Sequence, residues 1–277
     1  MRVLKHHISF IILLTFLAGC SKFTRIQKKG TFEEKYAAAV AYYEEEDYFR
    51  AGTLFNDIFP FSIGTPQATD IHLKSAYCHY YEGSLYLAAE DFNSFIRKYP
   101  RNPKVEEAMF MYSKSLYGMS GAHNLDQTET IRAINAIQSY LNAYPQTTRK
   151  EECNEKIAIL EKKLELKAYE NATLQLKIGH YRAAVIAFER FETQFPASNY
   201  IEELDFLKVK AQYLFAKNSI EKLVKDGKTY YLKKERLEQA IVFYEQFIDE
   251  YPTSEFIKDA QNIYNSIQSS LNTLTNS

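Results

Sequence analysis

Apolar residues recur along this chain at helical spacing, in blocks that each end on an aromatic residue followed by proline: Phe59-Pro60, Tyr99-Pro100, Tyr144-Pro145, Phe195-Pro196 and Tyr251-Pro252. Counting back from the last four prolines by 15, 12, 11, 8, 5, 4 and 1 gives a template with helical gaps. Two copies are apolar throughout: Leu85, Ala88, Ala89, Phe92, Phe95, Ile96, Tyr99 and Leu237, Ala240, Ile241, Tyr244, Phe247, Ile248, Tyr251. Before Pro145 come Thr130, Ala133, Ile134, Ile137, Tyr140, Leu141, Tyr144, and before Pro196 come Tyr181, Ala184, Val185, Phe188, Phe191, Glu192, Phe195. Only Thr130 and Glu192 are polar among 28 positions, where a chain that is 46% apolar would place about 13 apolar residues by chance. The pattern is a repeat, and its period is helical.

A second helix precedes each of these. Thr31 with Glu34 and Thr148 with Glu151 have the spacing of capping boxes, and Thr65-Pro66 and Asn102-Pro103 set a cap before a proline at the first helical position. The predicted pairs are 31–60, 65–100, 102–145, 147–196 and 198–252, with a last helix near 253–273 that covers the open face of the final repeat. The intervals between prolines, 40, 45, 51 and 56, exceed the ~34 of a standard tetratricopeptide repeat. The excess is assigned to a loop at Met119 to Gln127, a long helix from Glu151 to Ile178 and an insertion at Ser219 to Leu232 carrying Asp226-Gly227. Ala88 to Phe92 to Pro100, Ala184 to Phe188 to Pro196 and Ala240 to Tyr244 to Pro252 resemble the second half of that repeat. The small residue lets helices approach, the ring fills the next layer and the proline ends the helix. Ala51 to Phe55 is an earlier copy that meets Pro60 three residues early. The expected fold is all-α, a tetratricopeptide-like superhelical solenoid of about five helix pairs plus a capping helix.

The first residues set the compartment. Arg2 and Lys5, the apolar run Ile8 to Leu17, and Ala18-Gly19 before Cys20 have the order of a signal peptide over 1–19. Leu17-Ala18-Gly19-Cys20 resembles the bacterial lipobox, which implies a lipid on Cys20 and cleavage before it. Ser21 at the next position favours the outer membrane over inner-membrane retention, and the absence of an acidic run there favours its periplasmic face. Residues 20–30 are expected to be a lipidated, flexible, basic tether. Cys78 and Cys153 fall in first helices two repeats apart, beyond the ~7 Å that a disulfide tolerates, so two separate buried thiols are expected.

Composition removes several function classes. With 34 Lys plus Arg against 35 Asp plus Glu, no global field draws the chain to nucleic acid. No nucleotide or dinucleotide cradle is present in the sequence, and no cofactor is expected. His72 and His79 are seven residues apart, whereas helical metal ligands need i, i+4 spacing. His123 and His180 fall in a loop and a turn. Gly118-Met119-Ser120-Gly121-Ala122 lacks the final glycine and the preceding strand of a nucleophile elbow. Glu44-Glu45-Glu46-Asp47 points in several directions from a helix end and reads as solvated charge rather than a calcium site. An enzyme is not expected.

A lipobox followed by five such pairs resembles the BamD family, lipoproteins of the outer-membrane β-barrel assembly machine. Phe59-Pro60-Phe61 is similar to the family's aromatic-Pro-Phe step, and Tyr77 and Tyr80 to the tyrosines of its second repeat. Phe95-Ile96-Arg97 with Pro100 and Pro103 resembles the close of that repeat, and the long helix leading to Gly179, Tyr181, Ala184 and Pro196 continues the likeness to about Tyr200. The first pair is shorter, the loop near Ser120 differs, and the insertion with Lys225, Lys228, Lys233 and Lys234 is a departure. The resemblance implies that the repeats at 31–145 engage unfolded outer-membrane proteins and that 146–273 dock the membrane-embedded barrel subunit. Tyr42, Phe61, Tyr77 and Tyr80 are the candidates for the first surface, although rings in such repeats are more often core than ligand-facing. The four lysines are the candidates for the second. Two other classes stay open: a periplasmic scaffold for envelope or cell-wall enzymes, and a glycan-capture lipoprotein, against which the absence of Trp counts.

Overall fold

The computed structural model describes residues 22–221, 223–225 and 228–275. Cys20 and the leader lie outside these residues. After a helical stretch at 22–29 the chain forms α1 (Phe32–Glu44), α2 (Tyr48–Ser62), α3 (Ala68–Tyr81), α4 (Leu85–Lys98), α5 (Val105–Met119), α6 (Thr128–Ala143), α7 (Lys150–Lys177), α8 (Tyr181–Gln194) and α9 (Ile201–Lys217). A two-stranded hairpin, β1 (Leu223–Lys225) and β2 (Lys228–Tyr230), then leads to α10 (Leu232–Glu250) and α11 (Ile257–Thr275). The fold is all-α and tetratricopeptide-like, with this hairpin as the one described departure from helix. Among the described residues no helix is long and apolar enough to cross a membrane.

The chain divides into two compact units, through residue 160 and from 161 onward, so the division falls inside α7. In the first unit the apolar template does what its spacing requires. Ala88, Ala89, Phe92 and Phe95 of α4 and Ala133, Ile137 and Tyr140 of α6 are buried, each ring contributing about 2–3 kcal/mol by leaving water. Ala39, Ala51, Leu54, Phe55, Ile58, Ile71 and Cys78 form the core beneath α1 to α3. In the second unit Ala184, Val185, Phe188 and Phe191 pack with Ala172, Leu204 and Ala211. A further cluster joins Phe206, Val209, Tyr244, Phe247 and Ala260. None of the 28 template positions is exposed.

Capping separates the expected signals from the observed ones. Thr31 and Glu34 form the capping box at α1, with Glu34 N–H donating to Thr31 Oγ1 at 3.2 Å and Thr31 N–H to Glu34 Oε2 at 2.9 Å. At α3 the cap position is Gln67, because Thr65 turns its hydroxyl back to Ser62 O at 2.7 Å. Asn102 Oδ1 accepts from Lys104 N–H at 2.8 Å in a turn that precedes α5, so it too stands outside the cap. α7 begins at Lys150, and the hydroxyl at its start belongs to Thr147, which accepts from Arg149 N–H at 3.3 Å.

Pro60 was expected to end its helix, yet it lies inside α2. It occupies the last turn, where only a terminal hydrogen bond is lost. The turn is held by Ser62 Oγ donating to Phe59 O at 2.8 Å and by the Phe59 ring packing at a tilt against His72, 4.6 Å between centroids. Of the expected tether at 20–30, residues 22–30 are described. Residues 22–29 are helical and pack Phe23 and Ile26 onto the first core, because two apolar residues one turn apart give the segment a face to bury.

Candidate protein-binding surface

Positions 70, 74, 77 and 81 follow one another at helical spacing, so Asp70, Lys74, Tyr77 and Tyr81 form a stripe along α3. Residues of α1, α2 and α5 close on it. Tyr36 donates to Asp70 Oδ2 at 2.9 Å, and Lys74 donates to the same oxygen at 3.0 Å while its ammonium lies 5.8 Å from the Tyr43 ring centroid. Tyr77 donates to Glu107 Oε1 at 2.5 Å, and Lys104 donates to Glu107 Oε2 at 3.0 Å. Tyr81 stacks on Tyr48 at 4.5 Å and on Tyr77 at 5.9 Å, and meets Tyr80 edge-on at 5.6 Å. Lys114 lies 5.7 Å from the Tyr80 ring and 5.9 Å from that of Phe110, and the Arg149 guanidinium lies 4.5 Å from the same Phe110 ring. The result within the first unit is a band of tyrosines interleaved with charges.

Its electrostatics keep the phenols as donors. Burial, reinforced by the hydrogen bond to Asp70, pushes Tyr36 up to about 12. Burial likewise raises Tyr43, and burial with the Glu107 contact raises Tyr77. Burial alone would raise Glu107, but the hydrogen bonds from Tyr77 and Lys104 outweigh it and hold the carboxyl below its ordinary value. Glu107 is therefore an anion that fixes two donors. Stacked phenol faces with polar edges suit a partner segment that brings both apolar side chains and backbone polar groups.

The candidates taken from the sequence separate here. Tyr77 and Tyr80 belong to the band, half-buried and joined through Tyr81. Tyr42 packs elsewhere, edge-on to Phe23 at 5.9 Å and 5.6 Å from the Arg50 guanidinium. Phe61 is 76% exposed, with Ile63 exposed beside it, because the continuation of α2 past Pro60 turns both outward. Tyr81, 51% exposed at the centre of the stacked rings, was missed together with Tyr48 and Tyr43. A signal was present in the i, i+4 relation of Tyr77 to Tyr81, but nothing in the sequence says that Tyr48 meets them. The lysine group lies in the second unit. Lys225 and Lys228 are register partners in the hairpin, Lys225 is exposed, Lys233 is half-buried and Lys234 reaches Glu238 at 3.8 Å. Asp-Gly between β-prone residues is a hairpin signal, and the expectation of a plain insertion overlooked it.

Residues 28–167, half of the chain and the whole of the tyrosine band, match the family described as outer membrane lipoprotein (YfiO). The chain belongs to this family. Residues 227–254 match the tetratricopeptide repeat, in agreement with the helix pairs. A curated relative, outer membrane protein assembly factor BamD of Caulobacter vibrioides, is 23% identical over 211 residues, covering 74% of this chain and 68% of its own. Similar solved structures include the P58(IPK) TPR domain, at 16% identity, 87% coverage of this chain and a TM-score of 0.41. Another is the human IFIT1 dimer with m7Gppp-AAAA, at 15% identity, 94% coverage and a TM-score of 0.29. The chain spans 66% and 60% of the lengths of those two structures.

Proposed function

We propose that this protein is a lipid-anchored subunit of outer-membrane protein assembly, held by Cys20 on the periplasmic face of the outer membrane. The first unit receives unfolded β-barrel proteins, and the second, with Lys225, Lys228, Lys233 and Lys234, docks the membrane-embedded assembly subunit. The observation that carries this reading is the family match over 28–167, which contains every residue of the tyrosine band. The band supplies the means, since Tyr81 offers an exposed ring on a stacked support and Phe61 a second exposed ring. The work of the protein on this reading is binding rather than catalysis.

Depletion tests it. Barrel proteins in the outer membrane should fall, and affinity capture should recover the membrane-embedded assembly subunit. Tyr81→Ser should weaken binding of an unfolded barrel segment about tenfold, the loss of one aromatic anchor, with the fold retained at a cost of about 1–2 kcal/mol from the lost stacking on Tyr48 and Tyr77. Normal barrel assembly after depletion, with cell-wall enzymes captured instead, would establish the scaffold reading in its place.

A further inference from the structure

The helical segment at 22–29 has two opposed faces. At 100° per residue, Phe23, Ile26 and Gln27 fall on one arc, and all three are half-buried. Phe23 and Ile26 pack on the first core, and the Arg50 guanidinium lies beside the Phe23 and Tyr42 rings, 5.8 and 5.6 Å from their centroids. The opposite arc carries Lys22, Arg25, Lys28 and Lys29, all exposed. None of the four makes an ion pair with a described residue. The next carboxylates are Glu33 and Glu34 of α1, and Glu34 Oε2 is taken by the N–H of Thr31.

The segment is joined to the first repeat without slack. Gly30 N–H donates to Ile26 O at 2.8 Å, and a Cβ at Gly30 would lie 2.5 Å from that oxygen, so the close turn needs a glycine. Docked packing on one face and this turn at the end make the four charges a fixed feature of the first unit. Lys22 follows Cys20 by two residues, a span of at most about 7 Å of extended chain. With lipid on Cys20, Lys22 lies within about a Debye length of the bilayer surface, and Arg25, Lys28 and Lys29 follow within about 10 Å of helix, so a segment lying along the surface brings all four to it.

We infer that Lys22, Arg25, Lys28 and Lys29 form a docking face for the anionic headgroups of phospholipids, through which the first repeat is oriented on the membrane rather than merely tethered to it. This rests on the anchor at Cys20 for its biological setting, while the charge face itself stands on the described residues. Each cation near an anionic surface raises partitioning by a factor of roughly five, and the contribution is lost as salt screens it.

The test uses the mature chain from residue 20 onward with Cys20→Ser, so that no acyl chain contributes, sedimented with vesicles of phosphatidylcholine alone or with added phosphatidylglycerol. Binding is expected only to the anionic vesicles and is expected to be lost in about 0.5 M salt. Changing Lys22, Arg25, Lys28 and Lys29 together to Gln should lower partitioning by roughly several hundredfold with unchanged circular dichroism. The same change at Lys225, Lys228, Lys233 and Lys234 should leave it unaltered. Equal binding to both vesicle types, no binding, or loss only in the second variant overturns the inference. The mass of the amino-terminal peptide of the native protein reports acylation separately. Its absence would remove the anchor without touching the vesicle result.

Discussion

At position 72 an imidazole sits 98% out of solvent contact among Phe59, Phe95 and Tyr99, with Nδ1 lacking a hydrogen-bond partner among the described residues. Burial lowers its pKa, with Lys98 adding to the effect and Asp91 opposing it. His79 moves the other way, because its Nδ1 is 2.7 Å from Asp91 Oδ2 and that hydrogen bond outweighs burial. The two have opposite linkage. As pH falls through about 6.5 the unfolded chain binds a proton that buried His72 refuses, so His72 removes stability on the acid side. His79 contributes stability that is complete below about 6.5 and is lost as pH rises through its elevated folded value. His72→Leu should therefore make the protein lose less stability between pH 7 and 5 than the unmodified chain, and His79→Gln should make it lose more. Urea denaturation at the two pH values reads this, and equal pH slopes in all three proteins would contradict it. Backbone strain is found at Glu46, with φ of 61°, in the turn position that Gly83 and Gly179 fill in later repeats. Glu46→Gly should relieve the left-handed strain and raise stability by up to about 1 kcal/mol in thermal melts, net of the flexibility glycine adds to the unfolded chain.

Between elements, the polar template positions are explained by their hydrogen-bond partners. Thr130 is fully buried in α6 and donates to Gln127 Oε1 at 2.7 Å, while Gln127 Nε2 donates to the carbonyls of Ala122, His123 and Leu125. One side chain thus ties the loop before α6 to its first turn. In α8, Glu192 accepts from Lys208 of α9 at 2.5 Å, and Asp205 Oδ1 accepts from the same ammonium at 2.5 Å. Burial, with Asp205 adding to it, raises Glu192 despite this ammonium, whereas the two carboxylates hold Lys208 above its usual value against its own burial. Lys208→Met would leave two carboxylates facing each other in a partly buried site. It should cost about 2 kcal/mol, less than a fully buried pair because Glu192 is 30% exposed. Adding Glu192→Leu should return part of that loss. A second substitution that makes the first worse would show that the ion pair is not what joins α8 to α9.

On the scale of the molecule, repeat stability is a sum of local and nearest-neighbour terms, and the contacts of this chain divide into two units. Cys78 and Cys153 are free and buried, both in the first unit, with burial pushing the Cys78 thiol up to about 12 and raising Cys153 as well. Their labelling consequently reports opening of the first unit rather than surface reactivity. Ala184 is fully buried in the second unit, and Ala184→Glu should destabilise that unit by about 3 kcal/mol by burying an unpaired charge. Amide exchange should accelerate across residues 161–275 while the labelling rate of Cys78 stays unchanged. Acceleration of both to the same degree would mean that the two units open as one.

The sequence by itself determined what depends on near neighbours along the chain. Helix pairs, the Ala and ring positions that become core, the aromatic-proline punctuation, the capping box at Thr31 and the separation of the two thiols follow from spacing. The geometry of a helix converts spacing into a face without further information. Tertiary structure decided what depends on which faces meet. Tyr48 and Tyr81 belong to different helices and become a stacked pair only when α2 and α3 pack. Glu192 is tolerable among apolar positions only because Lys208 of the next helix reaches it. The basic residues after Cys20 read as a tether until Phe23 and Ile26 find the first core and turn Lys22, Arg25, Lys28 and Lys29 to one side. In each case the deciding contact is made by a residue on another element, and the energy of that contact is written in the packing rather than in the local pattern.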